Sequence, residues 1–184
     1  MLALNKNKKE RTGRFIQASA FEPFEVIQGE GVIAPSTTLR HQLTVGKLYR
    51  IIANLLNDDS TKGVCLLSPM NVHFNEDNTL QPDLVFICGD NLHLIEEDGI
   101  HGAPDVVFEV LQPENAYYDL RLKKDIYEQF GVKEYWIIDP MQKTIEIYVL
   151  EEDAYQLAIK KGDQDIVSST LLRQLVIRPE QIFS

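Results

Sequence analysis

Two proline-led, almost unbroken apolar runs constrain the fold of this chain more than any other feature. They are Leu80-Gln81-Pro82-Asp83-Leu84-Val85-Phe86-Ile87-Cys88 and Pro104-Asp105-Val106-Val107-Phe108-Glu109-Val110-Leu111. Runs without a polar face suit strands covered on both sides, and the proline entries with β-branched content favour strand over buried helix. Each run carries an acid: Asp83 at the mouth of the first, Glu109 inside the second. An unpaired carboxylate is expensive to bury, so each needs a partner, and a divalent cation is a natural one. Mg²⁺, with Mn²⁺ as its usual substitute, takes one or two protein carboxylates and completes its octahedron with water and phosphate oxygens.

The remaining elements assemble around these runs. Phe24 to Pro35 alternates about central glycines and reads as a β-hairpin. Ser36 precedes a helical stretch in which His41, Val45, Leu48, Ile52 and Leu55 form one apolar stripe, ending in the polar turn Asn57-Asp58-Asp59-Ser60. Gly63 to Leu67 and Asn71 to Phe74 are strand signals, whereas Asp90 to Gly102, acidic and polar, reads as a long loop with a partial turn. A second helix spans Ala116 to Phe130 and closes at Gly131. Glu134 to Pro140 and Thr144 to Leu150 form a hairpin, with a further short strand over Tyr155 to Lys160. Strands and helices mix without regular alternation, so the expected class is α+β, or mixed α/β, with one central sheet.

The length of 184 residues suits one domain, expected over 15–184 behind a flexible basic leader at 1–14. Net charge is −10, which argues against a protein that coats nucleic acid through a basic surface but leaves room for a local site where carboxylates hold a cation. The start lacks the apolar stretch of a secretory signal and no run is long enough to span a bilayer, so the default expectation is a cytoplasmic protein without membrane contact. Cys65 and Cys88 sit in apolar strands and read as small buried hydrophobes.

The second helix supplies a third element. Asp119, Lys123 and Tyr127 stand at i, i+4 and i+8 on one face. Lys123 beside a cation site would hold a phosphate or steer a water; alternatively, Asp119 and Lys123 form an exposed ion pair of little energetic value. Asp105, four residues before Glu109, shares its face in a strand and either assists the metal or simply begins the strand. His41 is either a packed, hydrogen-bonded residue or, if it faces the site, a substrate contact. His73, His93 and His101 show no metal-ligand spacing. Tyr135 and Trp136 are assigned to the core.

The segments Gly102 to Leu111, Asp119-x-x-x-Lys123-x-x-x-Tyr127 and Gly131-Val132-Lys133-Glu134-Tyr135-Trp136-Ile137-Ile138-Asp139-Pro140 resemble the Uma-two family of the restriction-endonuclease-like, PD-(D/E)XK superfamily. Gln81-Pro82-Asp83 is similar to its first acidic motif, and Ser36 with His41 to the start of its first helix. The likeness runs from about Phe24 to Phe183. It implies a central mixed sheet flanked by helices, with a divalent ion held by Asp83 and Glu109. It also implies endonuclease activity on nucleic acid, with DNA the expected substrate, and a homodimer that addresses two strands. The superfamily pattern places a lysine two residues after the second acid, where this chain has Leu111. The resemblance therefore points to Lys123 on the following helix, with Lys124 in reserve. The alternative is a non-catalytic module that keeps the fold and binds nucleic acid or protein.

Overall fold

The computed structural model describes residues 24–33, 36–57, 62–112, 116–162 and 165–184; the side chains of 116–119 and 161 are outside that description, as is the basic leader. Among the described residues, fourteen strands and three α-helices follow one another. The described part opens with the hairpin β1 (Phe24–Ile27) and β2 (Glu30–Ile33), then helix α1 (Leu39–Leu56). Next come β3 (Gly63–Leu67), β4 (Val72–Asn75), β5 (Asn78–Leu80) and β6 (Leu84–Cys88), and after a 3-10 turn (Gly89–Leu94) the short β7 (Ile95–Glu96) and β8 (Gly99–His101). Strand β9 (Val106–Val110), helix α2 (Ala116–Gln129) and β10 (Glu134–Asp139) form a crossover unit. Strands β11 (Thr144–Glu151), β12 (Ala154–Lys161), β13 (Val167–Ser168) and β14 (Val176–Ile177) and the short α3 (Glu180–Phe183) complete the chain.

The mixed α+β class expected from sequence holds, but the single central sheet divides. One six-stranded sheet runs β12-β11-β10-β9-β6-β3, and a second runs β2-β1-β5-β4-β8-β7. The first is central and mixed: α2 returns the chain so that β10 lies parallel to β9, while β6 pairs with β9 antiparallel. Alternate residues of its strands serve two cores. Leu84, Phe86, Val106, Phe108, Trp136 and Ile138 pack with Val45, Leu48 and Ile52 of α1 and with the C-terminal residues Leu172, Leu175, Ile177 and Ile182. Val85, Ile87, Val107 and Tyr135 pack the other way, against Val72, Leu80 and Ile100 of the second sheet and Ile126 and Tyr127 of α2. Both faces of β6 and β9 are thus covered, which is why their sequences lack a polar side. Each fully buried aliphatic side chain here contributes roughly 1.5–3 kcal/mol.

Local sequence explains the flanking elements. Thr38 caps α1 by accepting the His41 amide at 3.2 Å. The stripe of α1 is buried at His41, Val45, Leu48 and Ile52, with Leu55 half-buried at the edge. The segment from Asp90 to Gly102 is not the expected loop: it folds into the 3-10 turn and the β7–β8 hairpin. Gly99 permits the turn, at φ +155°, where a Cβ would stand 2.6 Å from the Asn71 carbonyl oxygen. Burial pushes the free thiols up, Cys65 to about 12 and Cys88 to about 11, which disfavours the reactive thiolate. Among the described residues no helix is long and apolar enough to cross a membrane.

Candidate active site

The two acid-bearing runs meet as neighbours. Leu84 pairs with Phe108 across β6 and β9, so one step further Asp83 stands opposite Glu109. Asp83 is held from two sides. Its Oδ2 accepts the Val110 amide at 2.8 Å and lies 3.0 Å from His41 Nε2 at the start of α1. His41 is buried, and its Nδ1 has no hydrogen-bond partner among the described residues. This arrangement fixes Asp83 through Oδ2 and leaves Oδ1 without a donor among the described residues.

Within β9, Val106, Phe108 and Val110 face α1, so alternation turns Glu109 toward α2 and the second sheet. There its Oε1 accepts Tyr127 Oη at 2.7 Å and Lys123 Nζ at 3.2 Å. The i, i+4 spacing of Lys123 and Tyr127 on α2 aims both at this one oxygen. Lys123 also reaches Glu25 of β1, Nζ to Oε1 at 2.8 Å, and Glu25 is itself fixed by the Gln81 amide at 2.8 Å. Lys123 is 13 % exposed, Glu25 6 % and Glu109 8 %, so this trio is buried.

The charge balance is unfavourable to the acids. Burial pushes the Glu109 carboxyl well above the ordinary carboxylate range; Lys123 opposes that shift, while Asp83 and Glu25 add to it. Burial works against the Lys123 ammonium, but the charges of Glu109 and Glu25 overcome it and hold the amine well above its usual value. Three carboxylates thus share one buried ammonium, together with His41.

The expected residues divide clearly. Asp83, Glu109, Lys123, Tyr127 and His41 converge, and Lys123 is held in contacts with Glu109 and Glu25. Lys124 points elsewhere, its Nζ 3.8 Å from the centre of the Tyr148 ring. Asp119 lies on α2 with its side chain outside the described residues. Glu25 is the residue that sequence reasoning missed. It lies in an alternating hairpin, where an acid reads as solvent-facing, yet its face of β1 is the buried one, shared with Ile27.

Asp105 immediately precedes β9, and its carboxylate bonds to groups outside the cluster. Its carboxylate accepts the Cys88 amide at 2.7 Å, Asn91 Nδ2 at 2.8 Å and Lys133 Nζ at 2.6 Å. Burial raises its pKa, but the bonds from Lys133, Asn91 and Cys88 more than reverse this and leave it lowered. Its stabilising contribution is therefore present above the ordinary carboxylate range and is lost as pH falls through the lowered value. Asp105→Ala orphans the Cys88 amide and is expected to destabilise the fold by about 1–3 kcal/mol. Urea denaturation measures that loss, and Mn²⁺ titration of the same variant is expected to match the parent chain.

The donor set fits a hard divalent ion. Asp83 Oδ1 and Glu109 Oε2 each lack a hydrogen bond from a described residue, and both belong to carboxylates from adjacent strands. One or two such oxygens with water is what Mg²⁺ or Mn²⁺ takes.

A mixed sheet that brings acids from neighbouring strands and a lysine from the next helix to one end places this protein among nuclease-like folds. A solved structure described as a putative nuclease belonging to DUF820, from Anabaena variabilis ATCC 29413, superposes with a TM-score of 0.75 over 93% of this chain and 96% of that one, at 18% identity, and so shares the fold. The family model Uma2, described as a putative restriction endonuclease, matches residues 18–180, and the chain belongs to that family. No curated protein matches it in sequence.

Proposed function

We propose that this protein is a divalent-metal-dependent endonuclease that hydrolyses phosphodiester bonds of nucleic acid, DNA being the expected substrate. The observation that carries this reading is the convergence of Asp83, Glu109 and Lys123, from three separate elements, on one end of the β6–β9 pair. Asp83 and Glu109 hold the ion. When bound, such an ion neutralises charge at the scissile phosphate and acidifies the attacking water.

The protein's own groups have distinct duties. His41 and the Val110 amide orient Asp83, so its free oxygen needs no reorganisation to take a ligand. The Tyr127 hydroxyl does the same for Glu109. Lys123, kept protonated by its acidic neighbours, binds a non-bridging phosphate oxygen and stabilises the charge that grows there. Glu25 positions Lys123 from the side opposite Glu109. The protein is proposed to work in the cytoplasm as a homodimer, which would present two sites to the two strands of a duplex.

The test is plasmid nicking with Mg²⁺ or Mn²⁺, extended to single-stranded DNA and RNA. The parent chain is expected to cleave at least one substrate in an ion-dependent manner, with cleavage absent in Asp83→Ala/Glu109→Ala. Equal traces in both proteins across all substrates would instead support a binding module that has kept the fold.

A further inference from the structure

Away from the acidic cluster, the register of β4 with β8 sets His73 beside His101 on neighbouring parallel strands. Such strands lie about 4.8 Å apart, and the two imidazoles stack at that spacing, with centroids 4.7 Å apart and planes inclined by 30°. Asp98, in the turn between β7 and β8, brings Oδ1 to 2.9 Å from His101 Nε2. One ligand atom from each of His73, Asp98 and His101 lies within 4.8 Å of the others. Glu96 Oε2 stands 4.0 Å from the same His101 nitrogen.

The condition of His73 adds an independent indication of a ligand. Its Nδ1 lies 3.1 Å from Thr79 Oγ1, its cross-strand partner on β5. Its Nε2 is buried and has no hydrogen-bond partner among the described residues. In the tautomer that donates Nδ1–H to Thr79 Oγ1, Nε2 carries the lone pair a metal takes, as in ligand imidazoles whose other ring nitrogen donates to a fixed partner. Gly99 keeps that edge of the ring clear, since a Cβ there would come 3.1 Å from His73 Nε2.

We propose that His73, Asp98 and His101 bind a borderline divalent transition ion of the Zn²⁺ class, which ties the β7–β8 hairpin to β4. Two imidazoles and a carboxylate suit Zn²⁺, Co²⁺ or Ni²⁺, whereas Mg²⁺ prefers an all-oxygen set. A fourth position is open to water or to Glu96. His101 and Asp98 are 39 % and 70 % exposed, so solvent reaches the two ligands that the hairpin contributes. This inference does not depend on the nuclease reading, because no residue is shared with the Asp83–Glu109 cluster.

The experiment is a Zn²⁺ titration of the full chain against a chromophoric chelator, with the visible spectrum of Co²⁺ as a second readout. The Asp98 hydrogen bond raises the pKa of His101, so a proton competes for Nε2 and the titration is run at mildly alkaline pH. The parent chain and Asp83→Ala/Glu109→Ala are expected to bind Zn²⁺ equally. His101→Ala and Asp98→Asn, both at exposed positions, are expected to weaken binding at least roughly tenfold, as loss even of an outer partner does. The proposal is overturned by unchanged affinity in His101→Ala, by loss of binding in the Asp83/Glu109 variant, or by a parent chain that takes up no Zn²⁺.

Discussion

Glu109→Gln is expected to abolish cleavage while leaving the fold as stable as before, or more so. The amide keeps the shape of the side chain and can still accept Tyr127 Oη, so packing around β9 is preserved. What disappears is a charge that burial disfavours and that Asp83 and Glu25 repel. Lys123 retains Glu25 as its partner. Loss of one ion-holding carboxylate should lower the rate by on the order of a thousandfold, since the stabilisation at stake is several kcal/mol. Opposite signs for stability and activity are the signature of a functional charge held against the interest of the fold.

The same residue sets a pH dependence. The folded state raises the Glu109 pKa to about 7, so it binds this proton more tightly than the unfolded chain does. Stability arising from Glu109 is therefore full below the ordinary carboxylate range and declines as pH rises toward the folded value. Glu109→Gln is expected to remove that slope, which thermal denaturation at a series of pH values in the presence of a chelator would record. A slope unchanged in the variant would show that Glu109 is already well compensated without an ion.

Lys123→Met should lower stability as well as activity. Removing the ammonium leaves Glu25 and Glu109 buried and facing each other, and loss of one partner from a buried ion pair costs about 3–5 kcal/mol. An exposed helical pair would instead change stability by less than ~1 kcal/mol. The vacated charge makes the acids a better site for a cation. Mn²⁺ is therefore expected to stabilise Lys123→Met more than the parent chain, by mass action on a tighter site. Activity should still fall by roughly 10²–10³-fold, because the donor to the developing phosphate charge is gone. Urea denaturation with chelator and with Mn²⁺, alongside the nicking assay, separates the two effects.

How far the sequence reveals this arrangement depends on the range of the interaction. The strands of the central sheet are legible because β6 and β9 are covered on both faces, which forces the apolar runs and makes Asp83 and Glu109 conspicuous within them. The alignment of Lys123 with Tyr127 is legible because helical spacing fixes it. Glu25 is not, because its burial depends on Lys123 of α2 and the Gln81 amide, both remote in sequence from the hairpin. His41 is legible as a member of a buried stripe, but its approach to Asp83 requires α1 to be docked on the sheet. The second sheet escapes notice for a similar reason. Strands β7 and β8 are two and three residues long and polar enough to read as loop, and β8 gains its place only by pairing with β4. That pairing also creates the His73–His101 contact, which no spacing within the chain announces.

The central claim is that Asp83 and Glu109 share one divalent ion, and an anomalous difference map from crystals soaked in Mn²⁺ tests it most directly. The expected result is a peak at roughly 2 Å from a carboxylate oxygen of each residue, with His41 still on Asp83. A map with no peak between these two side chains, in crystals saturated with Mn²⁺, would contradict it.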